Sequence, residues 1–136
     1  MRLGITFHDD AACASPLFRL DVEGPYDLGP KSMERRDATT ARFDVRKSLL
    51  TPLTQGSAEA FDEANCAGGA WKVGEAQEVT QFGCLDLVPT QTACPVEYDI
   101  VKIENGKLYL GDRSRGLCVP NVYPKRFAPT PLEPQS

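Results

Sequence analysis

The sequence predicts a mainly β protein, an antiparallel barrel or half-barrel with one short helix at about 54–65. Three observations carry that expectation. Apolar and polar residues alternate along several short runs. A single segment has helical spacing. Gly, Pro and Asn-Gly breaks recur between the runs, without the strand–helix alternation that builds parallel sheets.

The elements follow in chain order. Ile5 and Phe7 flank Thr6 and suggest a short first strand. The cleanest alternation covers 16–24: Phe18, Leu20 and Val22 face one way, and Arg19, Asp21 and Glu23 the other. Gly24-Pro25 ends it, and Gly29-Pro30 breaks the next short segment. Alternation resumes over 41–49, with Phe43, Val45 and Leu49 opposed to Arg42, Asp44, Arg46 and Ser48, and Lys47 out of phase. The helix follows Pro52, with Thr54 able to cap its first free N–H groups. Ala58, Phe61 and Ala64 lie on one stripe, Glu59, Asp62 and Glu63 on the other, and Asn65-Cys66 and Gly68-Gly69 end it. Asn105-Gly106 is the preferred dipeptide of a two-residue hairpin turn. Centred there, Glu104 opposes Lys107, Ile103 opposes Leu108 and Val101 opposes Leu110, which gathers Val101, Ile103, Leu108 and Leu110 on one face. After Gly116 the chain is Pro-rich (Pro120, Pro124, Pro129, Pro131, Pro134) and reads as a surface tail. The expected organisation is one β-barrel domain over 1–119 and a tail over 120–136.

Composition narrows the function. The 136 residues are 41% hydrophobic and 25% charged, which suits one globular domain. A net charge of −4 argues against nucleic acid, whose phosphates require excess Lys and Arg. No run is long and apolar enough to span a membrane, and the first residues lack the apolar core of a signal peptide. Charge is uneven. Residues 31–47 carry net +3 and 112–126, counting Arg115, again +3, whereas 55–104 carry net −7. These are solvated faces or a basic rim for an anionic head group.

Chemistry is sparse. No phosphate loop, nucleophile elbow or zinc-protease motif occurs. His8 is the one histidine, so Cys13 has a single possible base and no evident orienting group. Neither catalysis, cofactor nor metal is expected. Five cysteines (Cys13, Cys66, Cys84, Cys94, Cys118) without C-x-x-C spacing fit disulfides in an oxidising compartment. The odd count leaves one thiol over, and spacing alone leaves the pairing open. Trp71, in Gly69-Ala70-Trp71, either seals a core or lines an apolar cavity; the Gly-x-Trp is similar to that of lipocalins.

A longer pattern is more specific. Cys66, Gly69-Ala70-Trp71-Lys72-Val73-Gly74, Gln77-Glu78-Val79-Thr80 and Gly83-Cys84 resemble the domain of the adenomatosis polyposis coli down-regulated family. So do Glu97-Tyr98-Asp99-Ile100-Val101-Lys102, Leu108-Tyr109-Leu110-Gly111-Asp112-Arg113 and Pro124-Lys125-Arg126. Cys13 with Pro16-Leu17-Phe18, Gly24-Pro25-Tyr26 and Leu50-Thr51-Pro52 extends the resemblance over nearly the whole chain. The family comprises membrane-anchored inhibitors of Wnt signalling with paired lipid-binding half-barrels. The resemblance implies an extracellular or periplasmic antiparallel half-open β-barrel, lipocalin-like in form, that binds a lipid or acyl chain, including one carried on an acylated protein. The family's first strand, with its cysteine, is absent here, together with a signal peptide. Cys13 is then the free thiol, Cys66 pairs with Cys84, and Cys94 is left to pair with Cys118. A bridge closing a loop of about 17 residues contributes about 3 kcal/mol on the chain-entropy model.

Phe18, Leu20, Val22, Phe43, Val45, Trp71, Val101, Ile103, Leu108 and Leu110 are the expected pocket residues, and Arg42, Arg46 and Arg113 the head-group rim. The alternative is a protein–protein interaction domain with a filled core that uses its sheet edge or basic patches.

Overall fold

The computed structural model describes residues 1–114 and 116–132; Arg115 and residues 133–136, with Pro134 of the expected tail, lie outside the described residues. The protein is mainly β. Its strands are β1 (Arg2–His8), β2 (Pro16–Glu23), β3 (Tyr26–Lys31), β4 (Thr39–Asp44), β5 (Lys47–Pro52), β6 (Gln77–Glu78), β7 (Val96–Glu104) and β8 (Lys107–Leu110). One helix, α1 (Gln55–Glu63), and a 3₁₀ turn (Cys66–Gly68) lie between β5 and β6. The strands form two antiparallel four-stranded sheets of order β1-β2-β5-β6 and β3-β4-β7-β8. Neither sheet closes into a barrel.

The chain divides into two compact units. The first comprises Met1–Gly24 and Val45–Cys94, and the second Pro25–Asp44 with the chain from Pro95 onward. Each sheet belongs to one unit, and α1 belongs to the first.

In the first unit, β2 is central between β1 and β5. Phe18, Leu20 and Val22 are buried on its inner face. Asp21, on the outer face, is also buried because Arg19 clasps its carboxylate at 3.0–3.1 Å. Thr54 caps α1: its hydroxyl accepts from Ser57 N at 3.1 Å. The helix buries Ala58 and Phe61, and it ends before Asn65, which takes a left-handed φ of 54°. Ala64, expected on the buried stripe, is exposed at the C-cap.

The alternation over 41–49 does not form one strand. The chain leaves the second unit after Asp44 and begins β5 at Lys47, and the phase changes there. Phe43 is buried in β4, but β5 buries Ser48, Leu50 and Pro52 while Leu49 is half-buried. The out-of-phase Lys47 marks that junction.

In the second unit, the hairpin register matches the expected pairs Glu104–Lys107, Ile103–Leu108 and Val101–Leu110. Asn105 and Gly106 both have positive φ, 53° and 74°, as a type I′ turn requires. The expected apolar face is correct only toward the base. Val101 and Leu110 are buried, but Ile103 near the tip is 77% exposed. Ile100, on the opposite face, is fully buried, so the middle of β7 is covered on both sides. The Pro-rich chain returns along β8: Ala128 N donates to Leu110 O and Leu132 N to Leu108 O.

Candidate functional site

A concavity of ligand size lies in the second unit. The end of β3 and the turn after it supply Pro30, Lys31, Met33 and Glu34, and β4 supplies Thr40. Thr40 fixes that wall by donating its hydroxyl to Pro30 O at 2.6 Å. The irregular chain 121–125 supplies the rest of the lining, Asn121, Val122, Tyr123, Pro124 and Lys125. The volume of the cleft is about 520 Å³. Tyr123 is braced from behind by Tyr98, whose ring meets it edge-on at 5.9 Å. A second cleft of about 490 Å³ shares residues 122–125 and extends toward Asp112, Ser114 and Val119.

Apolar Met33, Val122, Tyr123 and Pro124 share the lining with Lys31, Ser32, Glu34, Thr40, Asn121 and Lys125. Met33 is wholly exposed and Val122 is 59% exposed, although neither is polar. Lys125 Nζ lies 3.8 Å from Glu34 Oε1, both side chains well exposed, and Lys31 lines the same cleft. Exposed pairs at that distance hold weakly, so both ammonium groups can be recruited by an anion. Arg126 is 3.6 Å from Asp112 in the neighbouring cleft.

A buried charge cluster stands elsewhere in the same unit. Asp99, on β7, accepts hydrogen bonds from Ile100 N at 2.7 Å and Gly111 N at 2.9 Å. Arg113 reaches Asp99 at 3.4 Å and Glu97 at 3.2 Å. Burial pushes the Asp99 carboxyl above its ordinary range, against the opposing pull of Arg113 and the two N–H groups. The Tyr26 hydroxyl is also pushed up, first by burial and then by the Asp99 charge. Arg113, expected at a head-group rim, is thus engaged by two carboxylates.

The ten expected pocket residues divide between the units. Phe18, Leu20, Val22, Val45 and Trp71 belong to the first, and Phe43, Val101, Ile103, Leu108 and Leu110 to the second. None of them lines either cleft, nor do Arg42, Arg46 or Arg113. In the first unit, Phe18 joins an aromatic chain. Phe7 stacks on Phe18 at 4.6 Å, Phe18 meets Phe61 edge-on at 5.8 Å, and Phe61 meets Trp71 at 5.0 Å. Trp71 is 5% exposed, and its indole N–H donates to Cys66 O at 2.8 Å. No sequence signal marks Met33, Val122 or Tyr123, which sit on backbone with no repeating period, and Pro124 stands out only as part of the Pro-rich chain and the family resemblance. The signals for the region as a whole were the Pro-rich composition and the two basic stretches that border it.

The cysteines are arranged as follows. Cys66 and Cys84 are bonded to each other. Cys94 and Cys118 are both in disulfide form, and Cys13 is free and exposed. The bend at Cys84 depends on Gly83, where a Cβ would collide with Val88 O. Cys13 sits in a loop closed by Asp10, whose carboxylate accepts from Ala14 N and Ser15 N. Two disulfides are compatible with an extracellular or periplasmic location. Among the described residues no helix is long and apolar enough to cross a membrane. Comparison with models of known protein families finds none that matches the chain.

Proposed function

We propose that the protein is a non-enzymatic binding module for an amphiphile, a lipid or acyl chain with an anionic head, working in an oxidising compartment. One observation carries the reading: a cleft of about 520 Å³ whose lining combines Met33, Val122, Tyr123 and Pro124 with Lys31 and Lys125. That volume falls within the usual range for small-molecule sites. Each buried methylene of a chain lying along Met33, Val122, Tyr123 and Pro124 contributes about 0.8 kcal/mol. Lys31 and Lys125 are suited to the carboxylate or phosphate of the head. The resemblance to the Wnt-inhibitor family, with its half-open lipocalin-like barrel, supports the same ligand class, and through it an acylated protein as the carrier of the chain.

The test is titration with a fluorescent fatty acid such as cis-parinaric acid, with palmitate as competitor, on the oxidised protein. Met33→Asp and Val122→Asp place a carboxylate in the cleft at exposed positions, so the fold is kept. Binding that palmitate displaces, weakened about tenfold or more in either variant, is the expected result. Absence of binding by the wild type, or wild-type affinity in both variants, overturns the proposal.

A further inference from the structure

The two sheets have four edge strands between them, and three are blocked. β6 is two residues long. β3 breaks register between Leu28 and Lys31, where Pro30 has no N–H to offer. β8 is covered by the returning chain, through Ala128 N to Leu110 O at 2.9 Å and Leu132 N to Leu108 O at 2.8 Å. Short strands, proline, bulges and covering loops are the devices by which sheets avoid pairing edge to edge. β1 has none of them over 2–6: no proline, no lysine, and a register shift only at Phe7/His8.

The hydrogen-bond phase of β1 fixes what its edge displays. Met1 N donates to Gly24 O at 2.7 Å and Gly24 N to Met1 O at 3.0 Å, so these two residues are a hydrogen-bonded pair. In the observed register, Leu3↔Val22 and Ile5↔Leu20 then have the same character. Leu3 and Ile5 spend their backbone groups on β2. Arg2, Gly4 and Thr6 turn their N–H and C=O groups outward, and among the described residues no partner pairs with them.

We infer that β1 is the interface of a symmetric homodimer, in which two copies pair β1 antiparallel about Gly4. Gly4 then pairs with Gly4 of the second copy, and Arg2 with its Thr6 on either side. All six outward groups find partners, and Leu3 stands opposite Ile5, continuing the apolar inner face. Gly4 favours this axis. With no side chain there, the Arg19 guanidinium lies across it. Asp21 neutralises that guanidinium at 3.0 Å, so two protomers can approach without bringing bare like charges together. The contact is isologous and two-fold, so it closes at a dimer instead of growing a filament. This inference is independent of the cleft, which lies in the other unit.

Sedimentation equilibrium of the full oxidised chain, from micromolar to submillimolar concentration, tests it. The expected result is a monomer–dimer equilibrium. Thr6→Pro removes an outward donor without touching a β1–β2 hydrogen bond and weakens the dimer about tenfold or more. Thr6→Glu sets a carboxylate opposite Arg2 of the second copy and tightens it. Should Thr6→Pro fail to fold by circular dichroism, Thr6→Lys, a like charge opposite Arg2, gives the weakening with the backbone unchanged. A monomer at every concentration overturns the inference. So does a dimer indifferent to the weakening substitutions, or one that Thr6→Glu leaves no tighter.

Discussion

At the scale of single residues, Trp71 is the instructive case. Sequence offered two roles, sealing a core or lining a cavity, and the packing distinguishes them. The indole stands on Phe61, is nearly inaccessible, and hands its N–H to a backbone carbonyl. Asp62 also accepts from the Trp71 backbone N–H at 2.9 Å, so the residue pins the loop after α1 back onto the helix. These are the contacts of a core residue. Trp71→Ala should therefore lower the unfolding free energy by about 3–5 kcal/mol in urea titration. Fatty-acid affinity per folded molecule should stay unchanged. A stable variant with weakened fatty-acid binding would return Trp71 to the ligand site.

At the scale of elements, the corner that joins β7 to the chain after β8 depends on Asp99. Its carboxylate holds Ile100 N and Gly111 N while burial works against its charge. A carboxyl whose folded pKa is raised contributes stability that is complete below the ordinary aspartate value of 3.8 and is lost as pH climbs through the raised value. Exposed Asp37 has the opposite sign, since Arg35 draws its carboxyl below the usual range. Asn at position 99 keeps an acceptor for both N–H groups and cannot ionise. Urea melts between acid and neutral pH should show Asp99→Asn gaining on wild type as pH rises through that window. A constant difference between the two would show that Asp99 titrates normally. How far such elements were legible depended on local rules. The β7–β8 register followed from Asn105-Gly106, and the α1 start from Pro52 and Thr54, because turn and cap chemistry is encoded within four residues. The transfer of the chain between units at Val45-Arg46 was not legible, since alternation continues through it with one slip at Lys47. The burial of Asp99 was likewise hidden, because it rests on Gly111 and Arg113, outside its own strand's alternation. That of Asp21 was hidden because a charged residue on the polar face reads as solvated until Arg19 folds over it. The cleft was the least legible, as its walls are turn and Pro-rich chain without a period.

At the scale of the whole molecule, regular structure is unevenly spread. Between α1 and β7 the only strand residues are Gln77 and Glu78, and after β8 there are only isolated bridges among the described residues. Segments with so few ladder hydrogen bonds need another restraint, and each contains bonded cysteines: Cys66, Cys84 and Cys94 in the first stretch, Cys118 in the second. The Cys66–Cys84 bridge, 18 positions apart, restrains the part of the first unit that carries Trp71, so its loss should be felt in the aromatic core as well as in the loop. On the chain-entropy model a loop of that size contributes about 3 kcal/mol. Replacing Cys66 and Cys84 together by serine should therefore lower Tm by roughly 10 °C, with the tryptophan fluorescence transition moving in step. Denatured protein that has never met a reductant should weigh four hydrogens less than the full thiol form, two per disulfide. Native protein should take up a single maleimide, at Cys13. A Cys13→Ser variant should lose that label and keep its Tm. Five thiols reacting in the unreduced, unfolded chain would instead place the protein in a reducing compartment, and the irregular segments would have to be held by packing alone.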